Sequence, residues 1–414
     1  MSENHPDKSA RPDKGHSSEA EPKSILQQPV AVWALAFACA VSFMGIGLVD
    51  PILPAISREL DATPTQTMLL FTSYLLITAV AMFFSAFISS RIGVKRTLLI
   101  GLALIVVFAF LSGAAGSVDA IIGFRAGWGL GNALFISTAL SAIVGAAAGG
   151  SGQAVILYEA AMGIGMAVGP LAGGLLGEIS WRAPFYGTAA LMAAGFIAIF
   201  ALLHAPEKKP DPVSFTAGLA AVKDPALLTL GLVAFFYNYG FFTLLAYSPY
   251  PIDEAAAAAG REFGAIELGF VFFGWGLCLA LSSVFLAPRL TLSFGLVPVL
   301  VTILSSFGLV LAALGFGVHR LGVLIPLVIV GGIFIGVFNT VLTEAVMEAT
   351  SLPRNVASAS YSAVRFLGGA VAPAVSGPLA ASLGAGVPYW FGAVSLGISL
   401  LVLLAGKRTL GRIA

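Results

Sequence analysis

Gly163-Ile-Gly165-Met-Ala-Val-Gly169-Pro170-Leu-Ala-Gly173-Gly174 lies in the middle of an apolar stretch long enough to cross a bilayer. Glycine weakens an ordinary soluble helix through its backbone freedom, and proline through its missing N–H. Inside a membrane both are tolerated, because small residues let neighbouring helices come close and the freed backbone groups find partners there. A Gly-Pro pair flanked by glycines at helical spacing therefore reads as a packing seam with a bend. A related pattern returns 203 residues later, as Gly368-Gly-Ala-Val-Ala372-Pro373-Ala-Val-Ser376-Gly377, with Gly165, Pro170 and Gly174 falling on Gly368, Pro373 and Gly377. The chain reads as an internal duplication with a bent helix in each half.

Composition sets the class. The 414 residues are 58% hydrophobic and 10% charged, with a mean hydropathy of +0.97. That is too little charge to cover the surface of a soluble domain of this size. An all-α integral membrane protein is expected. Cys39 and Cys278 both fall in apolar segments, and His5, His16, His204 and His319 lie outside the membrane or at its edge. Neither set has disulfide, zinc or haem spacing, so no metal and no cofactor are expected. The GxxxxGK[ST], HExxH and GxSxG patterns are missing, which argues against ATP-driven transport and against an enzyme. Gly149-Gly-Ser-Gly152 reads as a short turn. The expected partners are a small molecule, an ion and the bilayer, with no nucleic acid, and one chain is expected to act as a monomer.

Twelve apolar segments can be marked at about the 20 residues needed to span hydrocarbon as helix. They are 31–54, 67–89, 96–116, 119–146, 152–177, 183–204, 226–249, 265–287, 294–316, 322–346, 358–382 and 386–406, numbered spans 1 to 12. An even number puts both ends of the chain on one side. With that side cytoplasmic, every lysine falls inside, and the outer loops hold only Arg58, Arg182, Arg261 and Arg320. The positive-inside bias thus predicts a multi-pass protein of the cell membrane with both termini in the cytoplasm.

Residues 1–28 are polar and read as a disordered tail without the apolar core of a cleaved leader. A first six-helix bundle is expected over 29–204, a linker with a short interfacial helix over 205–225, a second bundle over 226–406 and a basic tail over 407–414. Gly45 and Pro54 match Gly240 and Pro249 at an offset of 195, and Gly129 and Asn132 match Gly336 and Asn339 at an offset of 207. Two six-helix halves around a central site form a transporter architecture.

Charges inside spans are costly and usually line a cavity or meet a partner. Here they are Asp50, Arg125, Glu159, Glu344 and Arg365; spans 3, 6, 9 and 12 carry none in their interiors, which suits helices facing lipid. Counted by helical rise, Asp50 and Arg125 lie at similar depth and are expected to interact. A carboxylate held between burial and an arginine can load and release a proton. The alternatives are a permanent ion pair, or Asp50 as a helix cap beside Pro51. Glu159 reads either as a second proton site or cation contact, or as a solvated vestibule residue. Glu344 and Arg365 read as an inner ion pair or as a snorkelling pair.

Span 7 contains Phe235-Phe-Tyr237-Asn238-Tyr239-Gly240-Phe241-Phe242. Aromatic rings with a few polar tips suit amphipathic organic molecules, through stacking and cation–π contact; ordinary packing accounts for most of these rings. Tyr237, Asn238 and Tyr239, with Trp128, Asn132, Asn339 and Thr343, are the candidate substrate contacts.

At these residues the chain resembles the major facilitator superfamily, and within it the twelve-helix drug:proton antiporters. The run through Gly165, Gly169, Pro170, Gly173 and Gly174 resembles that family's antiporter motif. Ile179-Ser-Trp181-Arg182-Ala-Pro-Phe185 resembles the outer loop that follows it. Arg125 with Gly129 and Gly131 resembles the span 4 motif whose arginine is linked to proton coupling, with Trp128 where a glutamine is usual. Asp50-Pro51-Ile-Leu-Pro54 resembles the end of span 1 in multidrug exporters. Arg91, Gly93 and Lys95 match the loop between spans 2 and 3, an inner gate in the family, but Ser90 replaces its aspartate.

The resemblance implies two bundles rocking around a central cavity. It also implies export of amphipathic or hydrophobic drug-like molecules in exchange for protons, with Arg125 linked to the coupling; Asp50 and Glu159, from the buried charges, are the other coupling candidates. A flippase for an endogenous lipid-linked or amphipathic metabolite remains the alternative, and a non-transporting sensor a more distant one. Residue type alone does not separate proton from sodium coupling.

Overall fold

The computed structural model describes residues 28–147, 150–204, 212–352 and 354–411, the side chains of 150–156, 159, 354 and 355 aside. Glu159, the N-terminal segment up to residue 27, residues 205–211 of the linker and the last three residues therefore lie outside the described set.

Twelve membrane-length helices follow one another. They are span 1 (Val30–Glu59), span 2 (Pro64–Ile92), span 3 (Val94–Ala114), span 4 (Val118–Ala146), span 5 (Gly150–Ile179) and span 6 (Ala183–Leu202), then span 7 (Pro225–Tyr247), span 8 (Ala265–Phe294), span 9 (Leu296–Phe316), span 10 (Leu321–Ala349), span 11 (Arg354–Leu383) and span 12 (Val387–Ala405). Their ends are written in the sequence. Thr63 and Gln66 form a reciprocal capping box in front of Pro64, and the Asp224 carboxylate accepts from the Leu227 N–H in front of Pro225. The turn between spans 2 and 3 pivots on Gly93 at φ +89°, and the turn between spans 8 and 9 on Gly295 at φ +81°. Both lie in the left-handed region that only glycine enters freely, at matching places in the two halves.

Three elements differ from the sequence reading. Span 1 does not run evenly. Its first helix stops at Gly47, Asp50–Ile52 form a tight 3-10 turn, and a second helix runs Leu53–Glu59. Pro51 and Pro54 account for this, since neither supplies the N–H that a continuous α-helix needs. Span 8 continues past residue 287 to Phe294 through a wide turn at Ser282–Leu286; Pro288 follows that turn, where a missing backbone donor is tolerated. A further helix, Pro249–Ala258, caps span 7, where a loop was expected.

The duplication is legible atom by atom. On span 5, Gly165 lies against the Ala40 carbonyl of span 1; on span 11, Gly368 lies against the Phe235 carbonyl of span 7. On span 4, Gly129 meets the Tyr74 carbonyl and Thr78 of span 2; on span 10, Gly336 meets the Leu279 carbonyl and Ser282 of span 8. These approaches leave no room for a methyl group, which is how small residues hold membrane helices together. Spans 3, 6, 9 and 12 expose apolar side chains such as Phe110, Phe200, Leu309 and Leu401, as suits helices that face lipid. The result is two pseudo-symmetric six-helix bundles.

The bundles meet along span 5 against span 8 and span 2 against span 11. Gly174 lies against Ala265 and Gly276 against Ala167, while Gly377 lies against Thr65 and Met68. The Thr72 hydroxyl donates to the Ala370 carbonyl at 3.1 Å. At this end of the molecule Tyr250 also hydrogen-bonds Thr67, and Arg58 forms an ion pair with Asp253 at 3.1 Å.

Arg58 and Asp253 are 195 residues apart, the same offset that relates Gly45 to Gly240 and Pro54 to Pro249. They are thus equivalent positions of the two halves. Two equivalent positions can touch only beside the pseudo-two-fold axis, so this ion pair marks where the axis leaves the protein. At the opposite end, the short helix Ala217–Ala221 sits between the bundles. Its Gly218 lies against the Phe83 backbone of span 2 and accepts from the Ser360 hydroxyl of span 11 at 2.8 Å. Phe215 anchors it by stacking on Phe84 at 4.7 Å.

Arg58 is 62% exposed in this pair and Asp253 29%, so water screens it. Asp253→Asn is expected to leave the fold intact and to change stability by less than about 1 kcal/mol. Thermal unfolding of the purified protein checks this, and the small difference should vanish at high salt.

Candidate functional site

Arg125 is fully buried on span 4. Its Nε donates to the Leu70 carbonyl at 3.4 Å, and its two Nη atoms find no acceptor. Aromatic faces surround it instead. The guanidinium lies 4.5 Å from the Tyr74 ring centre, 4.7 Å from Trp128 and 6.0 Å from Phe71. Cation–π contact partly replaces the water that the arginine lost on burial. Trp128 therefore walls the arginine. It packs on Phe185 and on span 1 at Gly45, and is only 1% exposed. It was expected among the substrate contacts and does not reach an open lumen in this conformation, because its large ring fills the space between spans 1, 2, 4 and 6.

Asp50 is equally buried, and neither of its carboxylate oxygens has a hydrogen-bond partner. It does not cap the turn it begins, since Val49 holds the cap position and no side chain bonds there. Asp50 and Arg125 lie within electrostatic reach of one another, yet they make no direct ion pair; among the described residues Arg58–Asp253 is the one that does. In this conformation Asp50 neither caps the turn nor pairs directly with Arg125, and the two interact through their charges alone. A buried carboxylate without donors is expensive, and the arrangement holds that cost in reserve.

The glycine run on span 5 positions this aspartate. Gly169 lies against Met44, the Pro170 ring against Gly47, and Gly173 against the Leu48 carbonyl, two residues before Asp50. Gly174, one residue on, faces span 8 at Ala265. The seam therefore touches the Asp50 turn on one side and the other bundle on the next. Nearby, the Ser42 hydroxyl donates to the Asn132 side-chain carbonyl at 2.7 Å, leaving the Asn132 amide nitrogen unpartnered.

In the second bundle, Tyr237 stacks on Phe338 with ring centres 3.8 Å apart, and its hydroxyl donates to the Ile335 carbonyl at 3.3 Å. The Asn238 amide donates to the Arg365 carbonyl at 3.1 Å. These two residues tie span 7 to spans 10 and 11. Tyr239 and Asn339 are buried as well, while Thr343 is partly exposed. The Asn238 and Asn339 side-chain oxygens lack partners.

The expected inner-gate residues are not brought together. Arg91 lies over the Phe87 ring at 5.3 Å, and Lys95 donates to the Phe200 carbonyl at 2.9 Å. Ser90 accepts from the Val213 N–H at 3.2 Å, tying the linker down where the resemblance would place a carboxylate. Glu344 is exposed beside Glu348 and makes no ion pair with Arg365. The Arg365 backbone carbonyl accepts from the Asn238 amide of span 7.

Sequence reasoning missed Phe71 and Tyr74, which complete the cage around Arg125, and Ser42, the partner of Asn132. The spacing of Phe71, Tyr74 and Thr78 on one face of span 2 was the available signal.

Comparison with known proteins places this arrangement. The family model of the Major Facilitator Superfamily matches residues 35–255. The chain is 51% identical over 389 residues to the multidrug efflux protein YfmO of Bacillus subtilis, covering 94% of this chain and 96% of that one. It is 28% identical over 250 residues to the quinolone resistance protein NorA of Staphylococcus aureus, covering 57% of this chain and 64% of NorA. Among solved structures, the nucleoside transporter NupG superposes with a TM-score of 0.73 at 14% identity, over 92% of this chain and 99% of NupG. The human organic anion transporter MFSD10 (TETRAN) gives 0.71 at 16% identity, over 90% and 99%. At those identities the structures speak for the fold alone, but the family model and the YfmO match speak for the sequence too: the chain is a transporter-type membrane protein of the Major Facilitator Superfamily.

Proposed function

We propose that the protein exports amphipathic, drug-like small molecules across the cell membrane in exchange for protons, by rocking its two bundles about the central site. The observation that carries this is the Asp50 carboxylate: fully buried, without a hydrogen-bond donor, and within electrostatic reach of Arg125. The name of the YfmO relative, a multidrug efflux protein, agrees with it. Lysine placement orients the chain with Lys95 and the linker on the cytoplasmic side. The Arg58–Asp253 end is then external, and contacts between the bundles close it in this conformation.

In this reading the cycle alternates which side reaches Asp50. When the external end opens, water reaches the aspartate, a proton binds, and its hold on Arg125 weakens. Substrate leaves outward at that stage. When the external end closes again, the proton passes to the cytoplasmic side and the charged aspartate re-engages Arg125 as substrate reloads. Two states biased by one titrating group suffice, provided proton and substrate each favour a different state.

The test is transport of a panel of amphipathic dyes in proteoliposomes carrying an imposed pH gradient, with and without a sodium gradient. Uphill dye movement should follow the proton gradient and reverse when it is reversed. Movement that follows sodium alone, or that no gradient drives, would sink the proposal.

A further inference from the structure

The two intramembrane arginines differ in one respect. Arg125, in the first bundle, has Asp50 within electrostatic reach and a cage of rings. Arg365, in the second, has no carboxylate in an ion pair with it among the described residues, and one ring rather than a cage beside it. Its Nε is buried without an acceptor, while the side chain as a whole stays partly exposed. Its ring neighbour is Phe366 at 5.5 Å, and its charge reaches Tyr237, which ties spans 7 and 10. Its position in span 11 puts about 16 Å of helix between it and the near end of the span.

A cation this deep without a counter-charge is costly. A guanidinium meets a carboxylate with two parallel hydrogen bonds, better than it meets any neutral group. Among the described residues the protein supplies the arginine, the Phe366 ring beside it and Tyr237 within reach of its charge, and no acid paired with it. We infer that Arg365 is a substrate-selecting residue that takes the carboxylate of an amphipathic aromatic acid or zwitterion. This rests on the transport reading above and adds the charge class of the cargo. Asn238 holds the Arg365 backbone through its carbonyl and so positions the side chain; it is not itself assigned a ligand contact.

Equilibrium binding to the purified full chain in nanodiscs tests it with three matched probes: naphthalene-2-carboxylate, naphthalene-2-carboxamide and (naphthalen-2-yl)methylammonium. The expected order is acid over amide by about tenfold, as for a charge-assisted hydrogen bond, with the cation weakest. Arg365→Gln should bring the acid down to the amide's affinity and leave the amide unchanged, so that amide binding reports correct folding. Arg365→Lys should retain part of the preference for acid. If Arg365→Gln does not fold, the wild-type order and the Arg365→Lys result decide.

Equal binding of acid and amide by the wild type, a preference for the cation, or an acid preference that survives Arg365→Gln would each overturn the inference. The assay needs no flux, so the two readings can fail separately. Acid preference without gradient-driven transport removes the transport reading alone. Gradient-driven transport with no acid preference removes this inference alone. Failure of all three probes to bind removes this inference and leaves the transport reading to the gradient assay.

Discussion

Asp50→Asn should abolish uphill export while the protein still folds and inserts. Asparagine has nearly the shape of aspartate and cannot ionise, so it mimics one side of the proposed cycle permanently. One pH unit corresponds to about 1.4 kcal/mol. Exchange of one proton for one neutral substrate can therefore sustain about a tenfold substrate gradient per pH unit. The variant should sustain none, while exchange of labelled for unlabelled substrate continues. Protein should still be recovered in the membrane, because the side-chain oxygens of Asp50 have no donors to lose and the Tyr74 and Trp128 rings still shield Arg125. The comparison is made in proteoliposomes, with the pH gradient imposed and then collapsed by an ionophore. Wild-type accumulation by Asp50→Asn would remove this residue from the coupling pathway.

Gly165→Ala is expected to cost about 1–3 kcal/mol, against the helix preference of the new residue. Alanine is the better helix former by about 1 kcal/mol, so propensity favours the change. The added methyl group, however, would fall on the Ala40 carbonyl and close to the Met44 nitrogen. Both are backbone atoms, which cannot rotate aside. Spans 1 and 5 must then part, and the Gly169 and Gly173 contacts that set the Asp50 turn go with them.

Gly163→Ala supplies the control within the same run. Its methyl group would lie 3.4 Å from the Ala280 side chain, an ordinary contact, so propensity decides and the variant should be neutral or slightly stabilised. Gly368→Ala, against the Phe235 carbonyl, should repeat the loss seen at Gly165. Thermal unfolding of the detergent-purified variants reads all three. A Gly165→Ala protein as stable as Gly163→Ala would contradict the close packing of span 1 on span 5.

The glycine run was legible because membrane packing leaves a local signature: small residues at helical spacing. The same holds for the left-handed turns at Gly93 and Gly295, where one residue type answers one backbone need. The electrostatic neighbourhood of Asp50 and Arg125 was legible because few charges are buried and helical rise fixes their depth. What stayed hidden depends on rotation about helix axes and on distant packing. Trp128 belongs to the wall around Arg125 because of Gly45 on another helix. Arg365 makes no ion pair with Glu344, although both lie in the second bundle. The break in span 1 was half-written in Pro51 and Pro54, but the helix Pro249–Ala258 depends on the core beneath it, where Ile252 and Ala256 are fully buried.

The Arg58–Asp253 pair has a historical consequence. Two identical six-helix units meeting head to head would place the same residue on both sides of their axis, arginine opposing arginine or aspartate opposing aspartate. Like charges there would push the units apart. An attraction at that point is available only to a protein whose halves have ceased to be copies, and a single chain keeps two diverged halves together in equal number. Fusion of the repeats therefore did more than tether them: it opened to opposite charges a place that symmetry would have reserved for like ones.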